Sequence, residues 1–165
     1  MRTKILVIER ENSFRLSLVR QLKLERCVVF SATKIHEVRK LVRRKALDVI
    51  LLCLMELKKE GLHLLEMIKK QDPLAEVIVL HDAEQIGLSI EAMKLGASDD
   101  FLVPVDMNLL MNSIREVAKK KREQQENRKT WSHRLENAVM AISFAEAGEH
   151  ETAMRYLKDH KKKQN

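Results

Sequence analysis

Five short apolar runs, each followed by a segment with helical spacing, constrain the fold of this chain more than any other feature. The runs lie at residues 4–8, 27–30, 49–54, 77–80 and 101–103. They are continuous and rich in Val, Ile and Leu, which is typical of strands buried on both faces. Strict alternation of strand and helix predicts a parallel sheet with helices on both sides. The sequence therefore predicts an α/β domain of five βα units.

The segments between the runs carry helix start and stop signals. Asn12 or Ser13 is the candidate cap of the first helix, and Asp106 is the candidate cap of the fifth. Pro73 stops the third helix, because the residue before a proline disfavours helical geometry. Gly96 supplies a residue that tolerates left-handed geometry after the fourth helix. These signals place a helix after each strand. The residues at the strand ends are therefore candidates for a functional site.

Five side chains follow or close the predicted strands and form the candidate site. Ligands of parallel sheets bind beyond the carboxyl ends of the strands, at the point where the strand order reverses. The residues at these ends are Glu9 and Arg10 after the first run, Cys53 in the third, His81 after the fourth and Val103 in the fifth. We expect them to lie at one edge of the sheet, with Cys53 and His81 on neighbouring strands.

Two long segments carry a resemblance to a known family. Residues 48–68 read DVILLCLMELKKEGLHLLEMI, and residues 77–106 read VIVLHDAEQIGLSIEAMKLGASDDFLVPVD. Over residues 3–118 the chain resembles the receiver domain of two-component response regulators. The resemblance implies a flavodoxin-like, doubly wound, five-stranded parallel sheet of (βα)5 topology. A C-terminal helical extension would follow this domain.

The resemblance also implies what the strand ends do in the family, and this sequence departs from that pattern. In the family, an acidic pair and a phosphoacceptor aspartate hold Mg²⁺, while a hydroxyl and a lysine grip the phosphoryl group. The acidic pair corresponds here to Glu9 and Arg10, the acceptor to Cys53, the hydroxyl to His81 and the lysine to Val103. A thiol suits a hard cation poorly. We therefore predict a degenerate phosphorylation pocket with no catalytic residues.

Several consequences of this degenerate pocket are open to test. Mg²⁺ binding is expected to be lost or weak, no other cofactor is expected, and the protein is not expected to be an enzyme. Arg10 is predicted to replace the metal as a structural cation by pairing with Glu9, Glu56 or Asp82. Asp100 stands at the position of the family's aromatic switch residue in the fifth strand.

Cys53 and His81 also admit a different interpretation. A thiol close to Arg10 and His81 would have a lowered pKa and would suit a redox sensor. Cys53, His81 and Glu9 together would offer a soft metal such as zinc three ligands, although no recognisable ligand spacing is present. The simpler interpretation is that Cys53 is a buried residue that closes its strand.

Beyond residue 118 the sequence changes character. A receiver-like domain (1–118) is followed by a basic helical linker (119–130), a helical hairpin (131–160) and a polar tail expected to fray (161–165). The segment AVMAISFAEAGEHETAMRYL at 138–157 resembles part of a tetratricopeptide helix pair. Either this hairpin packs on the receiver, or it presents apolar side chains to a protein partner or a second copy. The candidate interaction residues are Trp131, Leu135, Phe144, Met154 and Tyr156.

Charge and composition indicate whether a nucleic acid or a membrane is an expected partner. Residues 1–114 hold 18 Lys and Arg against 16 Asp and Glu, whereas residues 115–165 hold 13 against 8. Nonspecific nucleic-acid contact through this basic tail is a further alternative. It is not the expected one, because no DNA-binding motif follows the receiver and Glu123 and Glu126 dilute the charge. No apolar run reaches the roughly 18 residues of a membrane span, so no membrane partner is expected.

Taken together, these features predict a phosphorylation-independent pseudo-receiver. It would serve as a protein-interaction adaptor in bacterial two-component, or phosphorelay, signal transduction. The resemblance implies that partners or a second copy bind the face built from the fourth helix, fifth strand and fifth helix. Two cysteines without a CxxC pair favour free thiols in a reducing cytoplasm.

Overall fold

The computed structural model describes residues 2–158 and contains the predicted parallel sheet. Its five strands lie in the order β2-β1-β3-β4-β5, and every neighbouring pair is parallel. The strands are β1 (Lys4–Ile8), β2 (Val28–Ala32), β3 (Val49–Cys53), β4 (Val77–His81) and β5 (Asp99–Leu102). The strand order reverses between β1 and β3, which is where a ligand site is expected in such a sheet.

Six helices connect and follow the strands. They are α1 (Asn12–Leu24), α2 (Ile35–Arg44), α3 (Lys59–Gln71), α4 (Ile86–Lys94), α5 (Met107–Glu146) and α6 (His150–Lys158). A helical turn, Leu54–Leu57, precedes α3, and a 3₁₀ turn, Ala83–Gln85, precedes α4. The predicted flavodoxin-like (βα)5 class with a C-terminal helical extension is confirmed.

Alternating side chains of the strands build one apolar layer on each face of the sheet. On one face Leu6 and Leu52 pack with residues of α2, α3 and α4, including the fully buried Val38. On the other face Val7 and Leu51 pack with residues of α1 and α5. Burial of each such side chain stabilises the fold by about 1.5–3 kcal/mol. Both faces are covered, which explains why β1, β3 and β4 read as continuous apolar runs.

Two local predictions were wrong in detail. Glu11, rather than Asn12 or Ser13, caps α1, because its carboxylate accepts hydrogen bonds from the amides of Ser13 and Phe14. The fifth strand begins at Asp99, two residues earlier than predicted. Aspartate is depleted in strands, but β5 is an edge strand, and its register with β4 starts at Asp99. An edge position tolerates these polar side chains at the start of the strand.

The described residues form two compact units, which divide between Arg122 and Glu123. The unit boundary lies four residues beyond the predicted limit of 118, and the predicted linker 119–130 is part of α5. Within the second unit, the last part of α5 and α6 form the predicted hairpin, with Gly148 at a φ of 83° in the turn. The predicted tail at 161–165 lies outside the described residues. Among the helices of residues 2–158, none has the length and hydropathy needed to span a bilayer.

Candidate functional site

The structure brings the five predicted site residues to the carboxyl edge of the sheet. Glu9 directly follows β1, Cys53 ends β3 and His81 ends β4. Cys53 is paired in register with Leu80, so Cys53 and His81 do lie at the ends of neighbouring strands. The side chains nevertheless do not meet as one cluster. They separate into a Glu9–Cys53 pair and a His81–Asp100 pair.

Glu9 and Cys53 form the buried centre of the edge. Both residues are fully shielded from solvent. One carboxylate oxygen of Glu9, Oε1, accepts a hydrogen bond of 2.9 Å from the Glu11 amide. The other oxygen, Oε2, is buried without a hydrogen bond of normal geometry from residues 2–158. Burial raises the pKa of Glu9. The neighbouring Cys53 thiol favours the charged carboxylate and so acts to lower the pKa of Glu9, but burial has the larger, opposite effect.

The same pairing makes Cys53 an unreactive thiol. Burial, and then the neighbouring Glu9 carboxylate, raise the pKa of Cys53 well above its ordinary value. Nucleophilic or redox-sensing cysteines need the opposite environment, in which a cation lowers the pKa of a solvent-accessible thiol. The geometry therefore favours the simple interpretation of Cys53 as a buried residue that closes β3.

Arg10 does not replace a metal in this site. Its guanidinium lies 2.6 Å from Glu60 Oε1, and both side chains are more than one third exposed. The predicted partners Glu9, Glu56 and Asp82 are therefore wrong, because Arg10 turns toward α3 instead of into the edge. An exposed ion pair of this kind contributes at most about 1 kcal/mol. The backbone of the β1–α1 loop is held by Arg15, whose side chain donates to the carbonyls of Glu9 and Arg10.

His81 links three elements through a partly buried hydrogen-bond network. Its Nδ1 lies 2.8 Å from the Asp82 carbonyl oxygen, and its Nε2 lies 3.0 Å from Asp100 Oδ2. Ser89 on α4 donates to the same Asp100 oxygen at 2.8 Å. Both ring nitrogens of His81 thus face oxygen atoms. The network ties the end of β4 to β5 and α4.

Asp100→Ala is expected to destabilise the receiver unit by about 2 kcal/mol, because the buried His81 ring loses its acceptor and Ser89 loses its partner. Chemical denaturation of the variant and the wild type measures this difference. Asp100→Asn is the matched control, since its amide oxygen still accepts a hydrogen bond, and it should cost less. Equal stability of Asp100→Ala and wild type would show that the network is not structural.

The edge does not suit Mg²⁺, the ion that the family resemblance implies. Mg²⁺ favours several oxygen ligands in an octahedral arrangement. Here one carboxylate, Glu9, faces a thiol, and Arg10 follows it in sequence. Val103, at the lysine position, offers only its amide, which donates to the His81 carbonyl at 2.8 Å. No group of three or more metal-ligating side chains occurs among residues 2–158.

The sequence missed two partners in this region, Ser89 and Glu60. Ser89 was recognisable in principle, because it lies on the buried side of α4, three residues before the buried Ala92. A polar residue on a core-facing stripe signals a hydrogen-bond network. Glu60 gave no signal, since its pairing with Arg10 joins residues 50 positions apart.

The five candidate interaction residues of the hairpin divide into two groups. The rings of Phe144 and Tyr156 stack at 5.4 Å between centroids, with an interplanar angle of 16°. They therefore hold α5 and α6 together within the second unit. Trp131, Leu135 and Met154 remain at least half exposed.

Comparison with known proteins adds a family to this geometry. The family model of the response regulator receiver domain matches residues 5–115 of this chain. A receiver domain protein from Clostridium thermocellum is 27% identical, with a TM-score of 0.69, over 74% of this chain and 98% of that chain. No curated protein matches the sequence.

Two further structures share the fold at lower identity. A receiver domain protein (CheY-like) from Methanospirillum hungatei JF-1 is 21% identical, with a TM-score of 0.67, over 75% of this chain and 99% of that chain. An adenylate cyclase from Rhodopirellula baltica is 16% identical, with a TM-score of 0.71, over 80% of this chain and 98% of that chain.

Proposed function

Because this chain belongs to the response regulator receiver family, we propose that it acts as a phosphorylation-independent receiver, a protein-binding adaptor in two-component signal transduction. Its receiver domain spans residues 5–115. The adaptor works without catalysis and without a metal cofactor. We place it in the bacterial cytoplasm, in keeping with the family resemblance and with the two free cysteines.

The observation that carries the proposal is the closed carboxyl edge of the sheet. Phosphoryl transfer to a receiver needs an accessible carboxylate nucleophile, a divalent cation and a cationic side chain that binds the phosphoryl oxygens. The position of the phosphoacceptor is occupied by the fully buried Cys53, and the position of the family's lysine is occupied by Val103. A sensor that works through Cys53 and His81 is not favoured, because Cys53 is buried and His81 is engaged with Asp100.

A first exposed surface suits a protein partner. Five large apolar side chains on α4, β5 and the start of α5 are between 40% and 59% exposed. They are Ile86, Ile90, Met93, Leu102 and Leu109. Clustered exposed apolar side chains mark interaction surfaces more often than isolated ones do. This is the face that the family resemblance assigns to partners.

A second exposed surface lies on the last part of α5. Trp131, Leu135, Val139 and Ile142 are between 59% and 63% exposed. Their spacings of four, four and three residues place them on one side of the helix. Such a stripe is typical of a helix that packs against a second helix. We assign it to contact between two copies of this chain, which leaves the α4-β5-α5 face for a different protein.

Incubation with a small phosphodonor and Mg²⁺ tests the absence of phosphotransfer. We expect the intact mass of the full chain to stay unchanged, because Cys53 is inaccessible and the metal ligands are missing. A receiver that retains the complete acidic pocket serves as the positive control. A phosphoryl adduct that persists in the Cys53→Ser variant would contradict the proposal, since another acid would then have taken over.

Solution mass by light scattering tests the association through α5. The full chain is expected to be a dimer, and the variant Leu135→Glu/Ile142→Glu is expected to be a monomer, because charges on the stripe oppose burial. Leu102→Glu/Leu109→Glu is the matched control, with equal charge on the other exposed face. A monomeric wild type, or dissociation caused only by the control variant, would show that this stripe does not mediate self-association.

A further inference from the structure

Helix α2 presents an unusually basic face to solvent. Six Lys and Arg but a single Glu lie between residues 34 and 45. Five basic side chains recur at spacings of three, one, three and one, which places them on one side of the helix. They are His36, Arg39, Lys40, Arg43 and Arg44, and all are exposed. The opposite side of α2 is anchored in the core by the fully buried Val38.

This face continues into a groove at the amino end of α2. The groove has a volume of about 730 Å³, and its cationic lining residues are Arg10, Arg15, Lys34 and Arg39. A second depression of about 370 Å³ is lined only by the five basic residues of α2. The two depressions share His36 and Arg39. Together they form one continuous strip, which we call the α2 strip.

The cations of the α2 strip are not neutralised by the protein itself. Among residues 2–158, the side chains of Arg39, Lys40, Arg43 and Arg44 make no ion pair or hydrogen bond. Glu37 is turned back to the Thr33 and Lys34 amides, at 3.1 and 3.2 Å. Of the other nearby acids, Glu60 pairs with Arg10, and Glu66 lines a neighbouring depression with Arg39 without forming an ion pair with it. Four uncompensated cations on one helix face repel each other, and an anionic ligand would relieve this repulsion.

The composition of the strip indicates the kind of anion. Protein interfaces usually have an apolar or aromatic centre inside a polar rim. Among the described residues, Ile35 is the only large apolar side chain that lines the groove, and none lines the second depression. The strip is also longer than a single phosphate needs, since α2 alone extends about 15 Å, which exceeds the distance between adjacent phosphates. Arginine is well suited to phosphate oxygens through its planar fork of donors.

We propose that the α2 strip binds the phosphodiester backbone of a nucleic acid, without reading its sequence. This activity goes beyond the adaptor role, and it uses neither the carboxyl-edge pairs nor the α4-β5-α5 face. It also differs from contact through the basic tail, because α2 belongs to the receiver unit. Among the described residues that line the strip there is no aromatic platform, and the Asn12 side chain already accepts a hydrogen bond from Arg15, so binding depends on the cations.

The test measures binding of the full chain to a fluorescent duplex of about 20 base pairs as a function of salt. Affinity should fall with salt at a slope of about −0.9 per phosphate contacted. The variant Arg39→Gln/Arg43→Gln/Arg44→Gln should bind at least about tenfold more weakly at low salt and lower the slope by about 2–3. These side chains are exposed, so the thermal unfolding curve should not change.

A matched control removes three cations from the second unit. Arg128→Gln/Lys129→Gln/Arg134→Gln changes the net charge equally and should keep most of the binding. No binding at low salt, or an equal loss in both variants, would overturn the proposal. Displacement of the duplex by polyglutamate at equal charge concentration would assign the strip to an acidic protein instead. Displacement by micromolar inorganic triphosphate would assign it to a small phosphorylated ligand.

Discussion

Cys53→Asp is expected to destabilise the receiver unit instead of creating a phosphoacceptor. The substitution places a carboxylate at a fully buried position, next to the equally buried Glu9. Oε2 of Glu9 already lacks a hydrogen bond from residues 2–158, so the protein has no spare donor for a second acid. Burying a carboxyl without a partner and beside a like charge is among the costliest single changes. We expect a loss of about 3 kcal/mol or more at neutral pH.

The loss should depend on pH in a direction that the buried carboxyls determine. Burial raises the pKa of Glu9 above its ordinary value of 4.5, and the new aspartate would raise it further. A carboxyl with a higher pKa in the folded state binds more protons there than in the unfolded state. Stability therefore decreases as pH rises from the unfolded-state pKa through the folded-state pKa. The deficit of Cys53→Asp should be smallest near pH 4.5 and largest above neutral pH.

Urea denaturation across this pH range, with two further variants, separates charge from shape. Cys53→Asn has nearly the same shape as Cys53→Asp without the charge, and it should lose less stability at about pH 8. Adding Glu9→Gln to Cys53→Asp should recover part of the loss, because one of the two like charges is removed. Equal stability of the Asp and Asn variants above neutral pH would mean that the edge is solvated. A phosphoryl adduct on Cys53→Asp with Mg²⁺ would mean that one substitution restores the pocket.

The architecture was predictable because it follows from local rules that act along the chain. Buried strands such as 49–53 are continuous apolar runs, and Asp106 caps α5 through the amides of Asn108 and Leu109 as predicted. The place of the candidate site was predictable for the same reason, since parallel strands bring their carboxyl ends to one edge. The cap of α1 was less predictable, because Glu11 uses a longer side chain than the residues that usually cap helices.

The partners of the site residues were not predictable from local rules. His81 and Asp100 are 19 positions apart, and Arg10 and Glu60 are 50 apart. The pairing of such side chains depends on the directions in which they point, and these directions are determined only in the packed fold. The α2 strip is not evident from the sequence for a different reason. The near balance of charge over residues 1–114 hides a helix whose cations all face one way, and only the helical spacing within 36–44 reveals it.

Asp48→Ala is expected to destabilise the receiver unit by about 3 kcal/mol, although sequence alone gave Asp48 no role. The side chain is 12% exposed, and its Oδ1 accepts from Arg122 Nε at 3.1 Å. Its Oδ2 accepts from the Lys4 backbone amide at 2.8 Å. Removing the carboxylate leaves the Arg122 charge and a part-buried amide without acceptors at once. Arg122 lies in the stretch that was predicted to be a basic helical linker, so this prediction tests the revised boundary of the unit.

A double-mutant cycle separates the two roles of Asp48. Asp48→Asn keeps an acceptor for the Lys4 amide but removes the charge, so it should lose about 1 kcal/mol. Arg122→Ala should cost less in an Asp48→Ala background than in the wild type, with a coupling energy of at least about 0.5 kcal/mol. Denaturation midpoints of the four proteins give this energy. Strict additivity would mean that Arg122 is solvated in solution, and that α5 separates from the receiver unit before residue 122.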